Sequence, residues 1–281
     1  MIDSVPFYPQ ERYQCGPAAL AMLLAWGGTE VPLAQLTAQV YSPALKGSLQ
    51  PSIISAARRH GHLAYPLSGY DALLAELRAG HPVLLLQNLG LSWLPRWHYA
   101  VVIGYDPHKD VFLLHSGTQA QLSLSRRLFD RLWTRADNWG LAVLPPDRLP
   151  AAATVADLLP AIVGLERAQQ YRAAQTAYRA ALTRWPENPV AWMGLGNSTY
   201  ALDDLEEAVR AFRRAVALQP DNGVPLNNLA LVLADLGRFE EALEVIATAL
   251  SRGGTLQKQF HTTREEILLR HHKAKSAQTG Q

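Results

Sequence analysis

A repeat of 34 residues constrains this chain more than any other feature of its sequence. Ala174, Ala208 and Ala242 are spaced by it, and so are Tyr178, Phe212 and Ile246. Ala181, Ala215 and Ala249 follow the same spacing. Within each unit these positions run i, i+4, i+7, which is one face of a helix. Two small residues flanking a large one let neighbouring helices approach closely. Pro186 and Pro220 close two of the units, where a helix must stop. A unit of this size is a helical hairpin that cannot bury its apolar face alone, so successive hairpins stack. The reading covers about 156 to 252, in three units. The middle unit adds Trp192, Leu195 and Gly196, the first lacks that part, and the third carries Gly254 where a proline is expected.

These columns resemble the tetratricopeptide repeat (TPR). The resemblance implies an all-α solenoid whose concave face takes a protein or peptide partner. A last helix at 257–272, "QKQFHTTREEILLRHH", caps the open end. The basic tail "RHHKAKSAQTGQ" is expected to lack fixed structure.

The first 145 residues follow another grammar. Helical patterns run over 16–26, 32–41, 49–60 and 70–79. Short β-branched or apolar runs follow at 82–87, 98–105, 110–115, 119–124 and 139–144. Helices first and strands second predict an α+β domain with an antiparallel sheet. "DPHKD", 106–110, reads as a hairpin turn, and "LPPDRLPAAAT", 144–154, as a proline-rich connection. The predicted organisation is a first domain at 1–145, a linker at 146–155 and a helical array at 156–281.

Charge narrows the partners. Lys and Arg total 26 against 24 Asp and Glu, and the first 145 residues carry 11 against 9. Neither half has a basic face, so no nucleic-acid partner is predicted. No apolar run reaches the length of a membrane-spanning helix. "MIDSVPFYPQ" has neither a charged n-region nor an apolar h-region, so no signal peptide is expected there. The expected location is cytoplasmic, or periplasmic or envelope-associated if a leader has been trimmed. The chain has one cysteine, so no intrachain disulfide forms and redox compartment is not legible.

That cysteine lies in "QERYQCGPAALAML", 10–23. Gly16-Pro17 fits the first turn of a helix, where backbone N–H groups have no partner to lose. Cys15 is therefore placed at a helix N-terminus, where the dipole is expected to lower its pKa. A thiolate nucleophile needs a base, and His98, which opens the strand "HYAVVIGYD", is the best-placed candidate.

"PFYPQERYQCGPAALAML" together with "WHYAVVIGYD" resembles the papain-like cysteine peptidases of the bacteriocin-leader (double-glycine) type, including their stand-alone relatives. The resemblance spans roughly residues 5 to 145. It implies Cys15 as nucleophile, His98 as base and Gln10 as oxyanion donor, with the Cys15 backbone N–H as second donor. Gln10 precedes the cysteine by five residues where the leader peptidases use six, and Gln14 is its rival. The family's Asp-Pro after the next strand is replaced here by "LLHSGT". His115 and Ser116 stand where the carboxylate belongs. If Ile103 pairs with Val111, His98 falls opposite Ser116, whose hydroxyl would hold the imidazole without a charge.

Other motifs have blander readings. "RRHGH", 58–62, reads as the basic end of a helix rather than a metal site, and no zinc ligand set or other cofactor site is present. Ser48 reads as a helix N-cap. Trp93 and Trp97 in "NLGLSWLPRWHYA" read as a wall of the substrate cleft, with Gln14 beside them. The expected function is hydrolysis of a peptide or protein amide by Cys15 and His98. The TPR half would recruit a partner or substrate. The alternatives are an inactive peptidase-fold scaffold, or an acyltransferase or amidase on the same fold.

Overall fold

The computed structural model describes residues 1–10 and 13–279. They form two compact units, Met1–Ala173 and Ala174–Gln281.

The first unit opens with α1 (Cys15–Trp26) and α2 (Leu33–Val40). A two-strand hairpin, β1 (Tyr41–Ser42) and β2 (Gly47–Ser48), comes next, with a single tight turn between its strands. There follow α3 (Gln50–Arg59), β3 (Leu63–Ser68), α4 (Tyr70–Arg78), β4 (Val83–Asn88), β5 (Trp97–Asp106) and β6 (Val111–Ser116). The unit continues through β7 (Gln119–Ser125), α5 (Arg126–Thr134), β8 (Trp139–Leu144) and α6 (Val155–Arg167). Six strands make one antiparallel sheet in the order β3-β8-β4-β5-β6-β7.

Helix α1 is the hub of this unit. Residues 16–24 are all buried, so the helix is apolar all round. One side meets α2 and α3, and the other meets Leu84, Tyr99, Val101, Leu141 and Val143 of the sheet. An aromatic layer fills another part of the unit. Phe112 stacks on Phe129 at 3.9 Å, with Tyr105, Tyr70 and Trp133 around them.

Two elements were not legible in the sequence. Strand β3, "LAYPLS", contains Pro66, which argues against a strand; it is tolerated because β3 is the sheet's edge. Helix α5 is short, and Phe129 and Trp133 are its buried residues, one turn apart. A third element changes partners: α6, which the repeat spacing assigns to the helical half, packs on β3 and α3 in the first unit. The 145–154 connection before it is held by buried Glu76, whose Oε1 accepts the Ala151 N–H at 2.7 Å and whose Oε2 meets His81 Nδ1 at 2.7 Å.

The helical array continues through α7 (Tyr171–Arg184), α8 (Pro189–Ala201), α9 (Leu205–Leu218), α10 (Gly223–Asp235), α11 (Phe239–Ser251) and α12 (Gln257–Thr279). The six column alanines are fully buried, with Tyr178, Phe212 and Ile246 beside them. Glycines of the repeat are set by the same packing. A Cβ on Gly194 would enter the Tyr178 ring, and one on Gly196 would sit 2.5 Å from the Phe212 ring. Helix α12 runs on to Thr279, so most of the tail expected to lack structure is helical. The last two residues lie outside the described ones.

Candidate active site

Cys15 is the first residue of α1, as the Gly-Pro signal predicts. Gly16 is required by a close approach: a Cβ there would lie 2.6 Å from Ser48 Oγ. Ser48 is not the N-cap expected from the sequence. That position belongs to Leu49, and Ser48 Oγ is buried with no hydrogen-bond partner among the described residues.

His98 is the second residue of β5, and its Nε2 lies 2.9 Å from Ser116 Oγ. The contact expected from the sequence forms, but through another register. Asp106 faces Val111 and Gly104 faces Leu113, and the pairing then shifts so that Val101 faces His115. Ile103 falls in that irregularity and does not pair with Val111. Continuing the shifted pairing puts Ala100 opposite Ser116, so His98 reaches Ser116 along a diagonal. His115 is committed elsewhere. Its Nε2 donates to the Val5 carbonyl at 3.2 Å, its Nδ1 accepts the Gln121 N–H at 3.2 Å, and its ring meets Phe7.

Gln10 is fixed at three points. Its backbone N–H donates to Gly117 O at 3.0 Å, and its Oε1 accepts the Gly117 N–H at 3.1 Å. Its Nε2 donates to Tyr99 O at 3.3 Å. Gly117 has φ +60°, a left-handed conformation that glycine adopts without strain. The end of β6 and the turn after it therefore hold both residues, His98 through Ser116 and Gln10 through Gly117.

Cys15, Gln10, His98, Tyr99 and Gly117 line one cavity of about 1140 Å³. Trp97 and Trp139 form part of its wall, and residues 45–50 form another part. Tyr99 braces these parts, because its hydroxyl donates to Ser48 O at 3.1 Å. Trp97, expected at the cleft, lines this cavity. Gln14 and Trp93 are not among the residues lining the cavity, and Trp93 stands out in solvent, 78% exposed.

Burial governs the electrostatics. It pushes the Cys15 thiol above its ordinary value, although backbone N–H groups of Tyr99, Gly16 and Cys15 itself act the other way. The depressed thiol pKa expected from the helix dipole is therefore overridden by desolvation. Burial also holds His98 down, to about 4. Both shifts favour the neutral forms of the thiol and the imidazole.

Gln87 was not singled out in the sequence. It lies directly opposite His98 across β4 and β5, is 1% exposed, and its Nε2 has no partner among the described residues. An unsatisfied buried amide costs about 1–3 kcal/mol, so its place beside the histidine is notable. Among the described residues, no group of three or more His, Cys, Asp or Glu side chains is placed to hold a metal ion.

Residues 2–139 match the model of the Peptidase_C39 like family. Tetratricopeptide repeat models match 163–223 and 199–261. The first unit therefore carries a C39-like peptidase fold, and TPR repeats follow it. Among solved structures, a putative C39-like peptidase from Bacillus anthracis is 17% identical, covering 50% of this chain and 94% of its own, with a TM-score of 0.42. The peptidase domain of Streptococcus ComA, a bi-functional ABC transporter involved in quorum sensing, is 20% identical, covering 50% and 98%, with a TM-score of 0.42. Among curated proteins, the peroxisomal targeting signal receptor of Eremothecium gossypii is 38% identical over 74 residues, 26% of this chain and 13% of that protein. The chain spans only 6% to 13% of the length of the curated relatives it matches first.

Proposed function

We propose that the first unit is a cysteine peptidase in which Cys15 attacks an amide carbonyl and His98 moves the protons. The observation that carries this reading is one cavity lined by Cys15, Gln10 and His98, with His98 tied to Ser116. When Ser116 Oγ accepts the Nε2–H, Nδ1 is left with a free lone pair. An imidazole held near 4 is unprotonated at neutral pH and can accept the thiol proton.

Proton transfer from Cys15 to Nδ1 gives a thiolate, which adds to the carbonyl carbon. The oxyanion takes hydrogen bonds from the Cys15 N–H and from the Gln10 amide hydrogen that Tyr99 does not use. His98 returns the proton to the leaving amine as the C–N bond breaks, leaving a thioester. Water, deprotonated by His98, then adds to the thioester and frees the acid and the thiol. The TPR array brings a protein or peptide partner to this activity through its concave face. The reading is tested with the full chain and a peptide library. Cys15→Ala should abolish cleavage, and Gln10→Ala should lower kcat by about 10²–10³, the usual effect of removing one oxyanion donor. Cleavage that survives Cys15→Ala would overturn it.

A second reading, a scaffold without turnover, is favoured by two features. The third position is a hydroxyl, and burial opposes charge on both members of the pair.

A further inference from the structure

The segment between β4 and β5 is unusual in two ways. Leu89, Leu91, Trp93 and Leu94 are all exposed large apolar side chains, and Trp97 beyond them is 55% exposed. The segment is nevertheless firmly built. Leu91 and Leu94 bridge each other in a tight turn, and Leu89 N–H donates to Arg96 O at 2.9 Å. Asn88 Oδ1 accepts from both Gly90 and Arg96 N–H at 2.9 Å. Arg135, just past the end of α5, donates to Gly90 O at 2.7 Å. The loop is thus a braced projection that holds its leucines and a tryptophan in water, where exposed apolar patches usually mark an interaction site.

Substrate in the cleft does not account for them. Of this loop only Pro95, Arg96 and Trp97 line the cavity, and Leu91, Trp93 and Leu94 do not. The charge around the loop favours one occupant. No Asp or Glu occurs between Glu76 and Asp106. Arg96 at the base of the loop and Arg131, one turn before Arg135, are exposed. Among the described residues neither is in an ion pair with a carboxylate. Lys46, which lines the same cavity as Arg96, is exposed too, between exposed Leu45 and Leu49. Among the described residues, the one acid on the cavity wall is Asp137.

We infer that the 89–97 loop docks on an anionic lipid surface, with Leu91, Trp93 and Leu94 entering the headgroup boundary and Arg96, Arg131 and Lys46 facing the lipid phosphates. Tryptophan and leucine at a tip with basic residues behind it is the chemistry of interfacial binding, which needs no membrane-spanning helix. The cleft beside the loop would then open at the membrane surface.

The test is co-sedimentation of the full chain with vesicles of equal parts phosphatidylglycerol and phosphatidylcholine, and with pure phosphatidylcholine vesicles. Wild type should partition onto the anionic vesicles and several-fold less onto the neutral ones. The double variant Trp93→Ser/Leu94→Ser should partition at least tenfold more weakly, with an unchanged far-UV circular dichroism spectrum and melting temperature. Arg96→Ser/Arg131→Ser should abolish the preference for the anionic vesicles. The inference is overturned if wild type stays in the supernatant with both vesicles, or if the apolar variant binds as wild type does. A concentration-dependent dimer by sedimentation velocity, lost in Trp93→Ser/Leu94→Ser, would also overturn it by showing that a second copy covers the loop. None of these readouts depends on peptidase activity.

Discussion

At the scale of single residues, the site is distinguished by a serine where a carboxylate is expected. Ser116 Oγ lies 2.9 Å from His98 Nε2, so it can orient the ring but supplies no charge to an imidazolium. Burial holds His98 at about 4, and the serine adds no charge to counter it. A carboxylate at that position would stabilise the protonated ring and raise its pKa. Ser116→Asp should therefore move the acidic limb of the pH–rate profile upward from about 4, and Ser116→Ala should lower kcat by about tenfold or more through loss of ring orientation. An unchanged profile in both variants, measured by steady-state kinetics across pH 3–9, would remove Ser116 from the machinery. The start of α1 at Cys15 and the meeting of His98 with Ser116 were legible in the sequence, though the register behind that contact was not. Gln87 was not, because an unpaired amide is visible only once β4 lies against β5.

At the scale of elements, periodicity carried most of the reading. Apolar α1, the β5–β6 hairpin and the 34-residue columns announce themselves locally, and each forms close to its expected span. What stayed hidden depends on tertiary context. Pro66 is allowed in β3 only at a sheet edge, and the irregularity at Ile103 that resets the β5–β6 register leaves no mark in composition. The thiol's raised pKa belongs here too. The helix terminus was legible, but the depth at which it is buried was not. In the helical array the glycines of the middle unit are packing devices. Gly194→Ala would drive a methyl into the Tyr178 ring, so it should destabilise that part of the array by about 1–3 kcal/mol. Thermal unfolding followed by circular dichroism should show the loss, and an unchanged melting temperature would mean the helices separate without cost.

At the scale of the whole molecule, several buried histidines share one electrostatic sign. Burial lowers the pKa of His98, His62 and His115 below the ordinary value. The unfolded chain, with ordinary values, then binds more protons between about pH 4 and 6.5 than the native protein does. Stability should fall as pH drops from 6.5 toward 4, and His98→Ala should flatten part of that slope. Denaturant midpoints across this range check it, and a midpoint that rises on acidification would contradict it. The central claim is narrower, that Cys15 and His98 work as a pair. The measurement that tests it most directly is the rate of Cys15 alkylation by iodoacetamide from pH 3 to 10, in wild type and His98→Ala. Acid protonates His98 and removes the base. The rate in wild type should therefore rise through about pH 4, hold a plateau across neutrality, and exceed that of His98→Ala there by at least tenfold. Equal rates in the two proteins, rising only as the thiol itself ionises at alkaline pH, would contradict the account and leave Cys15 a buried thiol with no base.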